Sequence, residues 1–258
     1  MNQPRRLTLE AAYILHRRPY RDSSLILDVL TSNHGRIALV ARGARRQKPR
    51  AQVPLELFQP LLISGSSKGE LGTLHSAEPR GTLHLLTGHM LVNGFYINEI
   101  LLRVLHRDDP CSGIFDAYER LVTGLAGMQQ LESAAAPAVQ RLLRLFEKRL
   151  LQELGYGLLL ERDVVTAEKI ASSAVYEYHL GKGPVAVTHQ DSGRYSPANA
   201  VKIRGSSLQS LAAEVLADVE SLREVKYLMR LLLGSLLGDK PLHSRSLFAA
   251  NQHQTTGT

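Results

Sequence analysis

The cations between Arg36 and Arg50 are the residues of this sequence with the clearest chemical potential. The stretch carries six bases and no acid, and the nearest acids on either side are Asp28 and Glu56. Its end, RGARRQKPR (42–50), contains Gly and Pro without apolar spacing, which is typical of an exposed loop. Accessible guanidinium and ammonium groups bind phosphates. Six residues are therefore predicted to contact a nucleic acid: Arg36, Arg42, Arg45, Arg46, Lys48 and Arg50. The alternative is a solvated loop that only favours solubility.

A second group of candidates lies in the turn RPYRDSS (18–24). Aromatic rings stack on unpaired bases in proteins that bind single strands, and cations beside them hold the backbone. Tyr20, flanked by Arg18 and Arg21, fits this pattern, although it could equally be an ordinary exposed turn tyrosine. Tyr13 alternates with Leu15 and is predicted to be a core residue.

A third group lies on a predicted helix. Arg141, Arg144 and Lys148 are spaced three and four residues apart, which places them on one stripe beside Leu145 and Phe146. A basic stripe next to exposed apolar residues can receive an acidic peptide with an aromatic residue. The alternative is a helix whose polar face happens to be basic.

Signals for catalysis are weak. The sequence contains neither a phosphate-binding GxxxxGK[ST] loop nor a GxSxG nucleophile motif. Its single cysteine, Cys111, follows Asp-Asp-Pro where a helix should begin, and its ten histidines are scattered. We therefore predict a non-enzymatic protein with no catalytic residues, no metal and no cofactor.

The distribution of charge predicts a polyanionic partner. The 258 residues carry a formal net charge of +7, and residues 1–80 hold 13 Lys or Arg against six Asp or Glu, so the rest of the chain is neutral overall. One cysteine, no signal-like N-terminus and no long apolar run predict a cytoplasmic protein without a membrane segment.

The elements that must position these residues begin with β-structure. Alternating or turn-bounded segments predict strands at 11–17, 25–30, 35–42, 55–64 and 70–76, with turns at 33–35 and 64–69. Five short strands without long helices between them favour a small barrel, of which an SH3-like barrel is one possible form.

After Pro79 the apolar spacing becomes helical. Helices are predicted at 83–106, 116–125, 138–154, 206–217 and 221–237, the third ending at Gly155 and the last opening with a capping box of Ser221 and Glu224. Residues 174–195 predict a small hairpin or irregular segment within an insert at about 160–200. The predicted organisation is α+β: residues 1–80 as one domain, 81–250 as a helical domain, and 251–258 as a frayed tail.

Several of these segments, taken in order, resemble the RecO family of recombination mediators. They are AYILHRRPYRDSSLILDVLTSNHGRIALVARGARR (12–46), YINEILLRVL (96–105), FDAYERLVTGLAG (115–127), RLFEKRLLQELGYGL (144–158) and KPLHSRSLF (240–248). The resemblance implies an N-terminal OB-fold, chosen over the SH3-like barrel, and a C-terminal helical domain. It also implies that the protein binds single- and double-stranded DNA and anneals complementary strands.

The same resemblance implies partners. They are RecR, the acidic C-terminal tail of single-stranded-DNA-binding protein (SSB), and functional links to RecA, which is loaded onto SSB-coated strands, and to RecF. In the R-x-F-E pattern Arg144 is the expected anchor for the terminal carboxylate of the tail. The implied location is the bacterial cytoplasm, at the nucleoid during repair.

One departure from the family concerns zinc. Many relatives carry four cysteines in the insert, whereas no cysteine follows Gly155-Tyr156 here, so the sequence resembles a zinc-free branch. The insert is then expected to be held by packing of Tyr176, Tyr178 and Tyr195. Two other classes stay open: an RNA-binding or ribosome-associated barrel protein, and a scaffold whose basic loop contacts an acidic protein.

Overall fold

A computed structural model describes residues 5–45, 53–67, 69–130, 135–187, 199–244 and 246–247. The chain forms two compact units. The first comprises Met1–Gln130 with Lys240–Thr258, and the second comprises Leu131–Asp239.

The first unit contains a closed five-stranded barrel. Its strands are β1 (Arg5–Tyr20), β2 (Ser24–Thr31), β3 (Gly35–Ala41), β4 (Leu61–Ser67) and β5 (Gly72–Pro79). They follow the order β1-β2-β3-β5-β4, and β4 pairs with β1 to close the barrel. The β3–β5 pair is parallel and the other pairs are antiparallel. This architecture confirms the predicted OB-fold.

Apolar residues at alternating positions of the strands form the barrel core. Leu27 and Val29 of β2 and Ile37 and Leu39 of β3 point inward and are buried. The long strand β1 pairs with both β2 and β4, and its register shifts between Leu7 and Glu10 and again between Ile14 and His16. Such irregularities bend a strand, which lets one strand serve both sides of a small barrel.

The fourth strand differs from its prediction. It begins at Leu61 and not at residue 55, and it continues to Ser67 through part of the predicted turn. Pro54 and Pro60 lack the N–H that a ladder needs, and Phe58 has a φ of +65°. The segment before Leu61 is therefore excluded from the sheet.

Two helices complete the described core of the first unit. They are α1 (Gly88–Val104) and α2 (Ser112–Met128), and Cys111 is the N-cap of α2. The predicted start of α1 at residue 83 is wrong, because Gly88 has a φ of +51° and Thr87 before it is extended.

A buried polar chain ties the helices to the barrel. Asn98 of α1 donates to the Leu15 carbonyl at 2.8 Å and accepts from the Tyr118 hydroxyl at 2.7 Å. Tyr13 is fully buried, as predicted, and meets Tyr118 edge to face. The helices thus share one compact unit with the barrel, and the domain boundary at residue 80 stays a prediction.

The chain returns to the first unit after residue 239. Glu99 of α1 accepts hydrogen bonds from the backbone N–H groups of His243 and Ser244, both at 2.9 Å. Arg103 donates to the carbonyls of Lys240 at 2.6 Å and Pro241 at 2.8 Å. Charged side chains of α1 thereby hold the returning backbone in place.

The second unit combines helices with a small sheet. Its elements are α3 (Ala136–Glu153), β6 (Val175–His179), β7 (Gly183–Ala186), β8 (Ala200–Arg204), α4 (Gly205–Ala212) and α5 (Val219–Leu237). The sheet order is β7-β6-β8, with both pairs antiparallel. The predicted hairpin is the β6–β7 pair, and helix α3 ends before Gly155, whose φ is +83°.

The start of α5 differs from the predicted capping box. The N-cap is Asp218, whose carboxylate accepts from the Ser221 N–H at 2.7 Å. Glu224 turns away and accepts from the backbone N–H and the Nε of Arg204, both at 3.1 Å. A charge-assisted contact to β8 has replaced the local cap.

The insert is held by side-chain oxygens that accept backbone N–H groups. The Tyr176 hydroxyl accepts from Ala171 at 2.9 Å, and the Tyr178 hydroxyl accepts from Leu159 at 3.2 Å. Both rings are buried, as the packing hypothesis expects of them, whereas Tyr195 lies outside the described residues.

Asp163 adds the third anchor of the insert. Its carboxylate accepts from the N–H groups of Val165, Thr166 and Ala186 at 2.6–2.9 Å, so it joins the turn after residue 163 to β7. Burial raises the pKa of the Asp163 carboxyl, but these backbone donors outweigh burial and bring that pKa below its ordinary value.

Candidate nucleic-acid interface

A groove of about 530 Å³ crosses the barrel surface where three chain segments meet. They are the β1–β2 turn, the end of β3 and the start of β5. The lining residues are Tyr20, Arg21, Ser23, Ser24, Val40, Arg42, Gly43, Leu71, Gly72 and Thr73. Predicted DNA-binding residues from two separate turns therefore come together, and OB-folds bind oligonucleotides with this kind of loop-lined face.

Strand pairing brings the three segments into contact. Leu25 at the start of β2 is paired with Ala41 at the end of β3, and the parallel β3–β5 ladder sets Val40 beside Thr73. The N–H of Arg45 donates to the Ser23 carbonyl at 3.0 Å. That bond fixes the segment that carries Arg42 against the β1–β2 turn.

The turn itself holds an aromatic ring in place. Arg21 has a φ of +51°, an uncommon conformation for a residue with a side chain. Its guanidinium carbon lies 5.2 Å from the centroid of the Tyr20 ring, within the range of a cation–π contact. One face of Tyr20 is thus covered by a cation, and the residue as a whole remains partly exposed.

The cations around the groove are available to solvent. Arg18, Arg21, Arg42 and Arg45 are exposed, and within the described part of the chain none of them has an acidic partner. By contrast, the neighbouring Arg17 pairs with Glu56 at 2.6 Å. The arrangement is a positive rim beside an aromatic ring, which suits a phosphate backbone with unpaired bases.

Arg36 is used inside the protein and does not extend the charge onto the barrel surface as predicted. Its side chain is only 14% exposed and lies 3.5 Å from Asp28. It also donates to the carbonyls of Leu102 and Leu105 at the end of α1. Burial lowers the pKa of Arg36, while Asp28 partly offsets that effect. The other three predicted cations, Arg46, Lys48 and Arg50, lie outside the described residues.

The basic stripe on α3 is not the exposed surface that its spacing predicts. Arg141 is exposed, but Arg144 and Lys148 are only 6% and 5% exposed. Arg144 pairs with Glu147 at 2.6 Å, whereas Lys148 donates to the carbonyls of Leu211 and Ala212 and pairs with Glu214 at 2.8 Å. Helices α4 and α5 fold over this side of α3, which helical periodicity alone could not reveal.

Burial of Arg144 brings it next to cations that the sequence did not single out. Lys226 and Arg230, four residues apart on α5, are exposed. Although Lys226 is exposed overall, partial desolvation of its ammonium group lowers its pKa, nearby Arg144 and Arg230 lower it further, and Glu147 acts in the opposite direction. We call Arg144, Glu147, Lys226 and Arg230 the cationic cluster, because the other three all act electrostatically on Lys226 and three of the four are cations. The i, i+4 spacing of Lys226 and Arg230 on α5 is the sequence signal by which these two cations could have been predicted.

The described ranges, 5–45, 53–67, 69–130, 135–187, 199–244 and 246–247, offer neither a metal site nor a membrane span. No three His, Cys, Asp or Glu side chains there are grouped so that they could hold a metal ion. No helix in those ranges is long and apolar enough to cross a bilayer.

Comparison with known proteins gives matches along nearly the whole chain. Residues 6–83 match the family model described as Recombination protein O N terminal, and residues 86–246 match Recombination protein O C terminal. Proteins named DNA repair protein RecO are similar over most of their length. The one from Nitrosococcus oceani is 43% identical over 242 residues, covering 94% of this chain and 93% of its own. The one from Coxiella burnetii (strain RSA 331) is 43% identical and covers 94% of this chain and 98% of its own. The one from Nitrosospira multiformis is 41% identical and covers 92% of this chain and 93% of its own.

Proposed function

Because the chain belongs to the RecO family of DNA repair proteins, we propose that it binds single- and double-stranded DNA and anneals complementary strands. The observation that carries this proposal is the groove of the OB-fold, which Arg21 and Arg42 line together with Tyr20. The phosphate backbone dominates the affinity of proteins for DNA, and exposed cations without acidic partners are the groups that neutralise it.

The proposed mechanism is stoichiometric and involves no chemical turnover. Cations of the barrel lower the repulsion between two phosphate backbones, which is the barrier to bringing complementary strands together. Two strands held on one protein then meet at a raised effective concentration. Base pairing supplies the driving force, so the protein needs neither a catalytic residue nor a cofactor.

The second part of the proposal concerns the partners. With RecR, the protein would help RecA to load onto single strands covered by SSB, and RecF would act in the same pathway. The work would take place in the cytoplasm, at the nucleoid during repair. Family membership supports these roles. The cationic groove of the first unit is compatible with DNA binding, and the cations of the second unit are compatible with binding of the acidic SSB tail.

For the SSB tail we propose the cationic cluster of the second unit. A peptide that ends in acidic residues and a carboxylate needs more than one cation, and Lys226 and Arg230 offer exposed ones. Arg144 adds positive charge near Lys226, and its Nε is buried without a hydrogen-bond partner among the described residues. Arg141 lies exposed on α3, whereas Lys148 is engaged by α4 and keeps at most a structural role in this site.

Strand annealing in the presence and absence of SSB is the direct test. We expect the protein to accelerate annealing of bare complementary strands and of SSB-coated strands, and a free SSB-tail peptide should inhibit only the second reaction. Competition with RNA of the same length separates the alternatives. Preference for RNA would indicate an RNA-binding barrel protein, and binding of neither nucleic acid would indicate a scaffold for an acidic protein.

A further inference from the structure

Leu71 is an exposed apolar side chain in an otherwise polar and cationic groove. It is 41% exposed and enters the lining from the chain just before β5. A single exposed leucine needs no explanation by itself. Here, however, it lines the same groove as Tyr20, whose ring is only half-buried. The groove therefore combines one aromatic wall and one aliphatic wall with a positive rim.

Unpaired nucleobases are the part of DNA that matches this combination. Each base has an apolar face, which a duplex hides in its stack and a single strand exposes. The groove volume of about 530 Å³ lies within the roughly 300–1,000 Å³ typical of sites for one small ligand. A site of that size can accommodate one nucleotide.

The backbone holds both walls in fixed positions. The positive φ of Arg21 and its contact with Tyr20 orient the ring. Leu71 precedes Gly72, where a Cβ would come within 2.7 Å of the Leu39 side chain and of the Ser66 carbonyl. Gly72 is thus packed against the barrel, and this fixes the point from which Leu71 projects.

We propose that Tyr20 and Leu71 form a clamp for one unpaired nucleobase, so that this groove prefers single strands over duplex DNA. The inference rests on the proposed function and adds a division of labour to it. Cations such as Arg42 bind the phosphates of either form, whereas the clamp adds affinity for single strands alone. The clamp should be tolerant of base identity, because every base offers a flat face.

Leu71→Ala and Tyr20→Leu test the clamp. Loss of one stacking wall should weaken binding of a mixed-sequence single strand by about fivefold or more. Affinity for the matching duplex should change by less than about twofold, and the salt dependence of both should stay constant, since no phosphate contact is lost. Quenching of a 2-aminopurine base in the single strand should fall in both variants.

Leu83→Ala is the matched control. Leu83 is also an exposed leucine of the first unit, at 61%, but it does not line the groove. This variant should bind both DNA forms like the wild type. If Leu71→Ala and Tyr20→Leu weaken single-strand and duplex binding equally, or weaken neither, the clamp is wrong while the proposed function stands. A wild-type protein that binds neither DNA form would overturn the proposed function and the clamp together.

Discussion

Arg144 and Glu147 form an ion pair of 2.6 Å inside the second unit, and the Glu147 side chain is fully buried. Removal of the cation takes an ion-pair partner away from a buried carboxylate. Breaking such pairs typically costs about 3–5 kcal/mol. We therefore expect Arg144→Ala to lower the free energy of unfolding by about 3 kcal/mol in urea denaturation. Arg141→Ala, at an exposed position of the same helix, should change it by less than about 0.5 kcal/mol. Equal stability of the two variants would contradict the structural role.

Because Arg144 supports the fold, the tail site is better tested on α5. Lys226→Gln combined with Arg230→Gln should weaken binding of an SSB-tail peptide by about tenfold, which is the order expected for loss of a charge-assisted contact. Unfolding should hardly change, since both residues are exposed. Arg223→Gln on the same helix is the control, because Arg223 pairs with Glu220 and lies outside the cationic cluster. Unchanged peptide affinity in the double variant would place the tail elsewhere.

The rim of the groove predicts a change in salt dependence. Each phosphate contact contributes a slope of about −0.9 on duplex DNA, or −0.7 on single strands, to log K against log salt. Replacing both Arg42 and Arg45 with Gln should therefore reduce the magnitude of the slope by about 1.8 on duplex DNA and by about 1.4 on single strands. The loss should be uniform across base sequences, since phosphates carry no sequence information. Arg17→Gln is the control, because Glu56 already occupies that guanidinium. An identical slope in the double variant would assign these cations to a protein partner.

The Asp163 carboxylate predicts how the insert responds to acid. Its pKa is lower in the folded protein than in the unfolded chain. The stabilisation is therefore fully present above the ordinary aspartate pKa and disappears as the pH falls through the lower folded value. Hydrogen exchange of the amides at Val165, Thr166 and Ala186 should show opening of the insert in that acidic range. Asp163→Asn should open the same amides at neutral pH and remove most of the pH dependence.

The single cysteine leads to a prediction about metal content. Four soft ligands at suitable spacing are needed for a structural zinc, and Asp163, Tyr176 and Tyr178 already tie the insert together through backbone N–H groups. Elemental analysis of the purified protein should find no stoichiometric zinc, and chelators should leave its melting temperature unchanged. Zinc that survives chelation would show that scattered ligands assemble a site.

The sequence predicts elements best where a local rule dominates. Strands β2 and β3 follow from alternation around the turn at Gly35, and Tyr13 is correctly predicted as core because it shares that rule. Local rules fail where a side chain contacts residues that are distant in the sequence. Arg36 looks like a surface cation by alternation, but the carbonyls that accept its hydrogen bonds lie at the end of α1, more than 60 residues later.

Helical spacing and loop composition have the same limit. Periodicity places Arg144 and Lys148 on one stripe, yet only the fold shows that other helices cover that stripe. Leu71 carries no local signal at all, because the parallel pairing of β3 with β5 is what brings it to the groove beside Arg42. Long-range pairing thus decides which of the predicted cations face a ligand.

The contacts of Glu99 and Arg103 with residues 240–244 have a consequence for biosynthesis. Helix α1 is made early, but the backbone groups that it holds are translated only after the entire second unit. Because N-terminal domains generally fold first on the ribosome, we expect the barrel and α1 to form before residues 240–244 are available, while Glu99 and Arg103 can still pair with each other. These contacts of the first unit are therefore among the last to form as the chain is made, and a chain that stops before Lys240 would lack them.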